Sequence, residues 1–185
     1  MNKKLYVISG PSGVGKGTVL KEFLNKNSKF MLSISCTTRS PREGEVDGVN
    51  YFFLSKDEFQ NCIDNDKFLE WAEFAGNRYG TKKKFIKQCL DEGKNVILEI
   101  DTKGVLQVKE KMPEAVLIFI APPSLKTLED RLRGRHTETE DAIQNRLNEV
   151  KKELERAENF DFKVINDDLK RAVEEIEKIT EQTNA

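Results

Sequence analysis

Histidine occurs once in this 185-residue chain, at His136. Cysteine occurs three times, at Cys36, Cys62 and Cys89, widely separated and without metal-ligand spacing. One histidine and three scattered thiols do not make a structural zinc site, which needs four clustered ligands. An odd set of isolated cysteines reads instead as reduced thiols of a cytoplasmic protein. No stretch approaches the roughly 20 apolar residues of a membrane span. The apolar run before Gly10 is too short for a secretory core. An excess of either charge is also missing: 31 Lys and Arg face 32 Asp and Glu, for a net charge of −1. That balance excludes bulk nucleic-acid binding, which needs a basic surface, but leaves room for a small basic pocket. Neither an internal repeat nor a low-complexity linker is present.

What the chain does have is concentrated near its start, in "VISGPSGVGKGTVLKEF". Four glycines and a lysine separate a short apolar run from an amphipathic one. Glycine inside a regular element costs about 0.5–1 kcal/mol relative to alanine, so the backbone itself must be in use. Leu5 to Ile8 reads as a buried strand. From Gly15 to about Lys26, Val19, Leu20, Phe23 and Leu24 fall on one helical face. A strand, a Gly-rich turn and a helix make a phosphate cradle, with backbone N–H groups and the helix N-terminus facing an anion. Gly10 to Gly17 fits G-x-x-x-x-G-K, and Lys16 is placed to reach the β- and γ-phosphates of a nucleotide. Gly17 stands where serine or threonine would bind Mg2+, and the hydroxyl comes one residue later, at Thr18. An ion there would be held mainly by phosphates and water, and no residue is named as a metal ligand.

Further along, "KFMLSISCTTRSPREGEVDGVNYFF" reads as short strands and turns. Ser55 and Glu58 form a capping box for a helix carrying Phe59, Cys62 and Ile63. "FLEWAEFAGNRYG" is extended again, and Thr81 is expected to cap a helix bearing Phe85, Ile86, Cys89 and Leu90, ended by Gly93. Asn95 to Asp101 has the near-continuous apolar character of a parallel strand covered on both faces, and "AVLIFIAPPS" is another. Ser124 opens a helix with Leu125, Leu128 and Leu132. A capping box from Thr137 to Glu140 precedes a long helix with Ile143, Leu147, Val150, Leu154 and Ala157. "FKVI" is a last strand, and Ala172, Val173, Ile176 and Ile179 mark a final helix. Strands alternating with helices predict an α/β core with a parallel sheet flanked by helices. A β-rich insertion over residues 34–80 and an arginine-bearing helical segment over 124–150 interrupt it. The core is then 1–33, 81–123 and 151–185.

Phosphate loops serve GTPases, ATPases and small-molecule kinases, so the loop alone names no reaction. In the insertion, Arg39 and Arg42 flank a proline turn, with Tyr51 downstream. Two guanidinium forks suit a phosphate monoester, although, taken alone, they read first as exposed loop arginines. Together, the phosphate loop, "SCTTRSPREGEVDGVNY", "FLEWAEFAGNRYGT", "ILEID" and "RLRGRHTETEDAIQNRL" resemble the guanylate kinases, in order and across nearly the whole chain. The resemblance implies transfer of the γ-phosphoryl of ATP to GMP with Mg2+, and a P-loop kinase core with a GMP-binding insertion and a helical lid that close over the substrates.

Residue by residue, the resemblance puts Arg39, Arg42, Tyr51 and Tyr79 on the GMP phosphate, and Ser35 and Glu70 on guanine. Thr81 stands where many members have serine. Asp101 matches an acidic position whose partner is guanine, Mg2+-bound water or a clamp arginine. The ATP side comprises Gly10, Pro11, Ser12, Gly13, Val14, Gly15, Lys16, Gly17 and Thr18, with Asn166 in an adenine-side loop. Arg131, Arg135 and Arg146 match lid arginines that reach the ATP phosphates and, with Lys16 and Arg39, complete the catalytic set. Chemistry supports Glu70 independently. Guanine offers N1–H and a 2-amino group side by side to a carboxylate, whereas adenine offers an acceptor; mismatches of this kind discriminate by about 10⁴–10⁵. Taken without the resemblance, Glu70 reads as a solvated charge on an alternating strand, and the lid arginines as solvated charge on helices. The partners expected are ATP and GMP, with dGMP as a further acceptor, and neither nucleic acid nor membrane. Competing readings are a kinase for another nucleoside monophosphate, a GTPase, which would need motifs such as N-K-x-D that are missing, and a non-catalytic guanylate-kinase-like binding domain.

Overall fold

The computed structural model describes residues 3–134 and 140–184. Five strands form one parallel sheet in the order β2, β7, β1, β8, β9: β1 is Leu5–Ser9, β2 Phe30–Leu32, β7 Asn95–Glu99, β8 Val116–Ala121 and β9 Phe162–Ile165. Alternation along β1 explains the layering. Tyr6 and Ile8 point to one face, where Val19, Leu20 and Phe23 of α1 (Lys16–Lys26) meet Ala172, Val173, Ile176 and Ile179 of α7 (Leu169–Asn184). Leu5 and Val7 point to the other face, against Ile86 and Cys89 of α3 (Lys83–Asp91) and Val105 and Val108 of α4 (Thr102–Lys111). Each Val, Leu, Ile or Phe among them stabilises the fold by about 1.5–3 kcal/mol on full burial.

A second sheet, ordered β4, β3, β6, β5, lies beyond the first: β3 is Cys36–Thr37, β4 Phe52–Phe53, β5 Phe68–Phe74 and β6 Asn77–Lys82. Its helix, α2 (Lys56–Asp64), has the expected capping box between Ser55 and Glu58. Phe59 and Cys62 pack with Cys36 and Phe68 in a small separate core. Helices α5 (Leu125–Arg133) and α6 (Glu140–Glu155) pack on each other through Leu128, Ile143, Leu147 and Val150.

Three local expectations change. Thr81 belongs to β6, and the N-cap of α3 is Lys82, without a side-chain bond; the threonine hydroxyl is used elsewhere, as described below. Helix α4, between β7 and β8, has no counterpart in the sequence reading. Ala157 falls in a 3-10 turn, Arg156–Asn159, beyond the end of α6. Thr137, expected to open that helix, lies outside the described residues.

Candidate active site

The phosphate loop runs from the end of β1 into α1. At Gly10 φ is +151°, and a Cβ would stand 2.1 Å from the Ile120 carbonyl oxygen of β8, so no other residue fits. Gly15 is the N-cap of α1 in the left-handed region, at φ +93°. That helix start has no side-chain cap and no acidic residue in its first turn. Its orphan N–H groups and positive end are therefore open to an anion. Lys16 curls back over the loop, where Nζ donates to Gly10 O at 2.5 Å and Pro11 O at 3.2 Å. Burial lowers the Lys16 pKa, opposed by the fields of Glu99, Glu153 and Asp101. Asn166, just past β9, donates from Nδ2 to Val14 O at 2.7 Å. It braces the loop, while Ser12 and Lys16 line the cleft.

The opposite wall comes from the second sheet. Glu70 on β5 is only 4% exposed, and Thr81 Oγ1 donates to its Oε1 at 2.7 Å. Burial pushes the Glu70 carboxyl up to about 7, with the threonine bond opposing and Asp101 adding to the rise. Ser35, Tyr51 and Tyr79 line the cleft beside it, with the two tyrosine rings 6.1 Å apart. The Arg39 guanidinium lies 5.4 Å from the centre of the Tyr51 ring. Its fork is already engaged: Nη1 and Nη2 donate to the two carboxylate oxygens of Glu45 at 2.9 and 2.8 Å. The Arg42 backbone N–H donates to the same carboxylate at 2.7 Å. These bonds, Arg39 first, hold the Glu45 carboxyl at about 2. Glu45 thus occupies an anion-binding fork, a role that sequence reasoning missed; the only available signal was an acid inside the "SPREGE" turn. The Arg42 side chain is exposed.

Between the walls lies a cleft of about 680 Å³, within the range of small-molecule sites. Its floor carries Glu99, Ile100 and Asp101, and α6 contributes Asn145, Glu149, Val150 and Glu153. Asp101 is the N-cap of α4, its Oδ1 accepting from Lys103 N at 2.8 Å and Gly104 N at 3.2 Å. Arg156, not anticipated from sequence, also lines the cleft and donates to Thr102 Oγ1 at 3.1 Å. Arg131 and Arg146 fall on α5 and α6; their side chains, and all of Arg135, lie outside the described residues. Among the described residues no group of three or more His, Cys, Asp or Glu is placed to hold a metal ion, and the space beside Gly17 is open.

Known proteins match this arrangement. The family model for guanylate kinase covers residues 2–183. The chain is 54% identical over 176 residues to a guanylate kinase of Bacillus anthracis, covering 95% of this chain and 86% of that protein. It is 50% identical over 176 residues to a guanylate kinase of a Synechocystis species, covering 95% and 92%. The crystal structure of guanylate kinase from Anaplasma phagocytophilum superposes with a TM-score of 0.74 at 31% identity, over 97% of this chain and 85% of that one.

Proposed function

The chain belongs to the guanylate kinase family, and we propose how its cleft carries out the transfer of the γ-phosphoryl of ATP to GMP, giving ADP and GDP. The observation that carries the reading is the buried Glu70 carboxylate facing the phosphate loop across one cleft. Guanine seats its N1–H and 2-amino group on Glu70, with Ser35 and Thr81 beside it. Arg39, Arg42, Tyr51 and Tyr79 take the GMP phosphate, which replaces Glu45 on the Arg39 fork. The loop from Gly10 to Thr18 holds the ATP phosphates against the start of α1, with Lys16 reaching out from the loop carbonyls.

A phosphate oxygen of GMP attacks the γ-phosphorus in line, the bond from that phosphorus to the bridging oxygen breaks, and ADP leaves. The attacking oxygen is already ionised at neutral pH, so no strong general base is needed. Rate comes from positioning and from cations around the transferring group. Arg131, Arg135 and Arg146 are assigned to that task, and Asn166 supports the loop on the ATP side. Asp101, fixed as a helix cap, leaves its second oxygen for the substrates. Mg2+ accompanies ATP and neutralises phosphate charge. In this reading the ion would be held mainly by the phosphates and water, because Gly17 stands where a hydroxyl ligand would come from. In this reading residues 1–33, 81–123 and 151–185 form the core, 34–80 the GMP-binding insertion and 124–150 the lid. No helix among the described residues is long and apolar enough to cross a membrane, and three buried free thiols suit the reducing cytoplasm.

The test is a coupled assay of ADP formation at fixed ATP and Mg2+, with GMP, dGMP, AMP, CMP and TMP offered in turn. Turnover confined to the guanine nucleotides is expected. Equal turnover of AMP would remove Glu70 from its role. No turnover in a folded sample that still binds GMP would overturn the catalytic reading.

A further inference from the structure

Helix α4 meets β5 along a single stripe. Gly104, Gln107 and Lys111, spaced three and four apart, share one helical face. β5 is the edge strand of the second sheet, so its outward backbone groups have no strand partner among the described residues. Gln107 supplies one: Trp71 N donates to its Oε1 at 3.2 Å, and its Nε2 donates to Trp71 O at 2.8 Å. A carboxamide thus reproduces the donor–acceptor pair of a neighbouring strand. Four residues on, Lys111 Nζ donates to Phe68 O at 2.9 Å. Glu70 lies between these two anchored positions.

The carboxylate of Glu70 then rests against Gly104. A Cβ at position 104 would stand 2.8 Å from Glu70 Oε2, 3.5 Å from its Cδ and 3.2 Å from Ile100 Cδ1. Gly104 has ordinary helical geometry, where glycine is a poorer choice than alanine. The backbone does not require glycine there; the space above it does.

We infer that Gly104 and Gln107 are positioning residues for guanine recognition: Gln107 fixes the strand that carries Glu70, and the missing side chain at 104 makes room for the Glu70 carboxylate. This rests on the reading of Glu70 as the group that binds guanine. Neither residue touches the substrate; both act through Glu70.

Gly104→Ala moves the carboxylate by about 0.6 Å, the gap between 2.8 Å and the 3.4 Å at which ordinary contact begins. Displacements of this size at a preorganised site weaken binding by about 10- to 100-fold. KM for GMP should rise by that factor, KM for ATP should stay within about twofold and kcat within about threefold, the pattern of a lost binding contact. The preference for GMP over AMP should fall in parallel. A purely structural role predicts the reverse, because alanine strengthens the helix: an equal or higher melting temperature with unchanged KM for GMP. That result would overturn the inference. Gln107→Ala is the second variant, with the same GMP-side change expected if Gly104→Ala fails to fold.

Each variant is also made in a Glu70→Ala background, where no side-chain end is left at 70 to be positioned and its further effect on KM for GMP should vanish. A persisting effect there would show action through another group and overturn the inference. The two readings separate cleanly. If Glu70→Gln alone keeps the original GMP preference, the reading of Glu70 fails and this inference falls with it. If Glu70→Gln loses the preference but Gly104→Ala and Gln107→Ala keep it, Glu70 stands and the positioning role does not.

Discussion

Glu70→Gln should make the protein more stable while making the enzyme worse, and the gain should depend on pH. Burial raises the Glu70 carboxyl from an ordinary 4.5 to about 7 in the folded state. The sign follows from proton uptake. Between about pH 4.5 and 7 the folded chain holds this proton while the unfolded chain releases it, so stability falls as pH rises. Below 4.5 both states are protonated and the group is silent. Above 7 both are ionised and the full penalty stands, on the order of 3 kcal/mol. Glutamine has the same shape, carries no charge and still accepts from the Thr81 hydroxyl, so it removes the penalty with little change in packing. For a chain of this length, the variant's melting temperature should exceed that of the parent by about 6–12 °C at pH 8. At pH 5 the difference should shrink to about 1 kcal/mol or less. Calorimetry of the two proteins side by side from pH 5 to 8.5 is the assay. GMP affinity provides the counterpart: only the carboxylate accepts two hydrogen bonds, so parental binding should weaken about fivefold from pH 7 to 6. The GMP phosphate also titrates near 6, which the Glu70→Gln profile corrects for. A melting-temperature difference that is flat across pH 5–8 would refute the reasoning, because the carboxyl would then not be held up by burial.

Arg39→Lys should raise KM for GMP about tenfold or more and leave KM for ATP unchanged, because an ammonium cannot reproduce the two-pronged contact now made with Glu45; equal KM values would refute the clamp. Lys16→Ala should abolish measurable turnover in a folded protein, and a variant with parental kcat would remove Lys16 from the site. Asn166→Ala removes the hydrogen bond to the Val14 carbonyl, which should lower stability by about 1 kcal/mol and raise KM for ATP severalfold, with GMP unaffected; an unchanged ATP affinity would count against a loop-supporting role. Small-angle scattering should show compaction with GMP and a non-hydrolysable ATP analogue together, beyond that with either alone; no change with both bound would count against lid closure.

The parts of the fold that could be read from the sequence are those in which one element carries its own pattern. Val19, Leu20 and Phe23 spell out the buried face of α1, and Ser55 with Glu58 spell out the start of α2. α4 stayed hidden because its stripe is blurred. Thr102 and Gly104 are buried while Leu106 is 58% exposed, the reverse of what residue type suggests. Thr81 misled for a related reason, since threonine serves equally as a helix cap and as a strand residue. The strand wins here because its hydroxyl is the hydrogen-bond partner of a buried carboxylate. Glu45 and Gln107 were invisible because their meaning lies in their partners. The Gln107–Trp71 pair spans 36 residues, and no local pattern announces a contact of that kind.

The same contacts link specificity to the joint between the two sheets. The second sheet has its own small core of Cys36, Phe59, Cys62 and Phe68, separate from the two layers that cover the parallel sheet. Glu70 sits where the two bodies meet. Its hydroxyl partner comes from β6 in the second sheet, and the glycine against which it rests comes from α4 in the first. A carboxylate in that position is poorly solvated, which raises its pKa, and beyond the Thr81 hydroxyl guanine would supply the further donors. Any motion that moved β5 away from α4 would break the Gln107 and Lys111 bonds together and take the Glu70 carboxylate off its seat on Gly104.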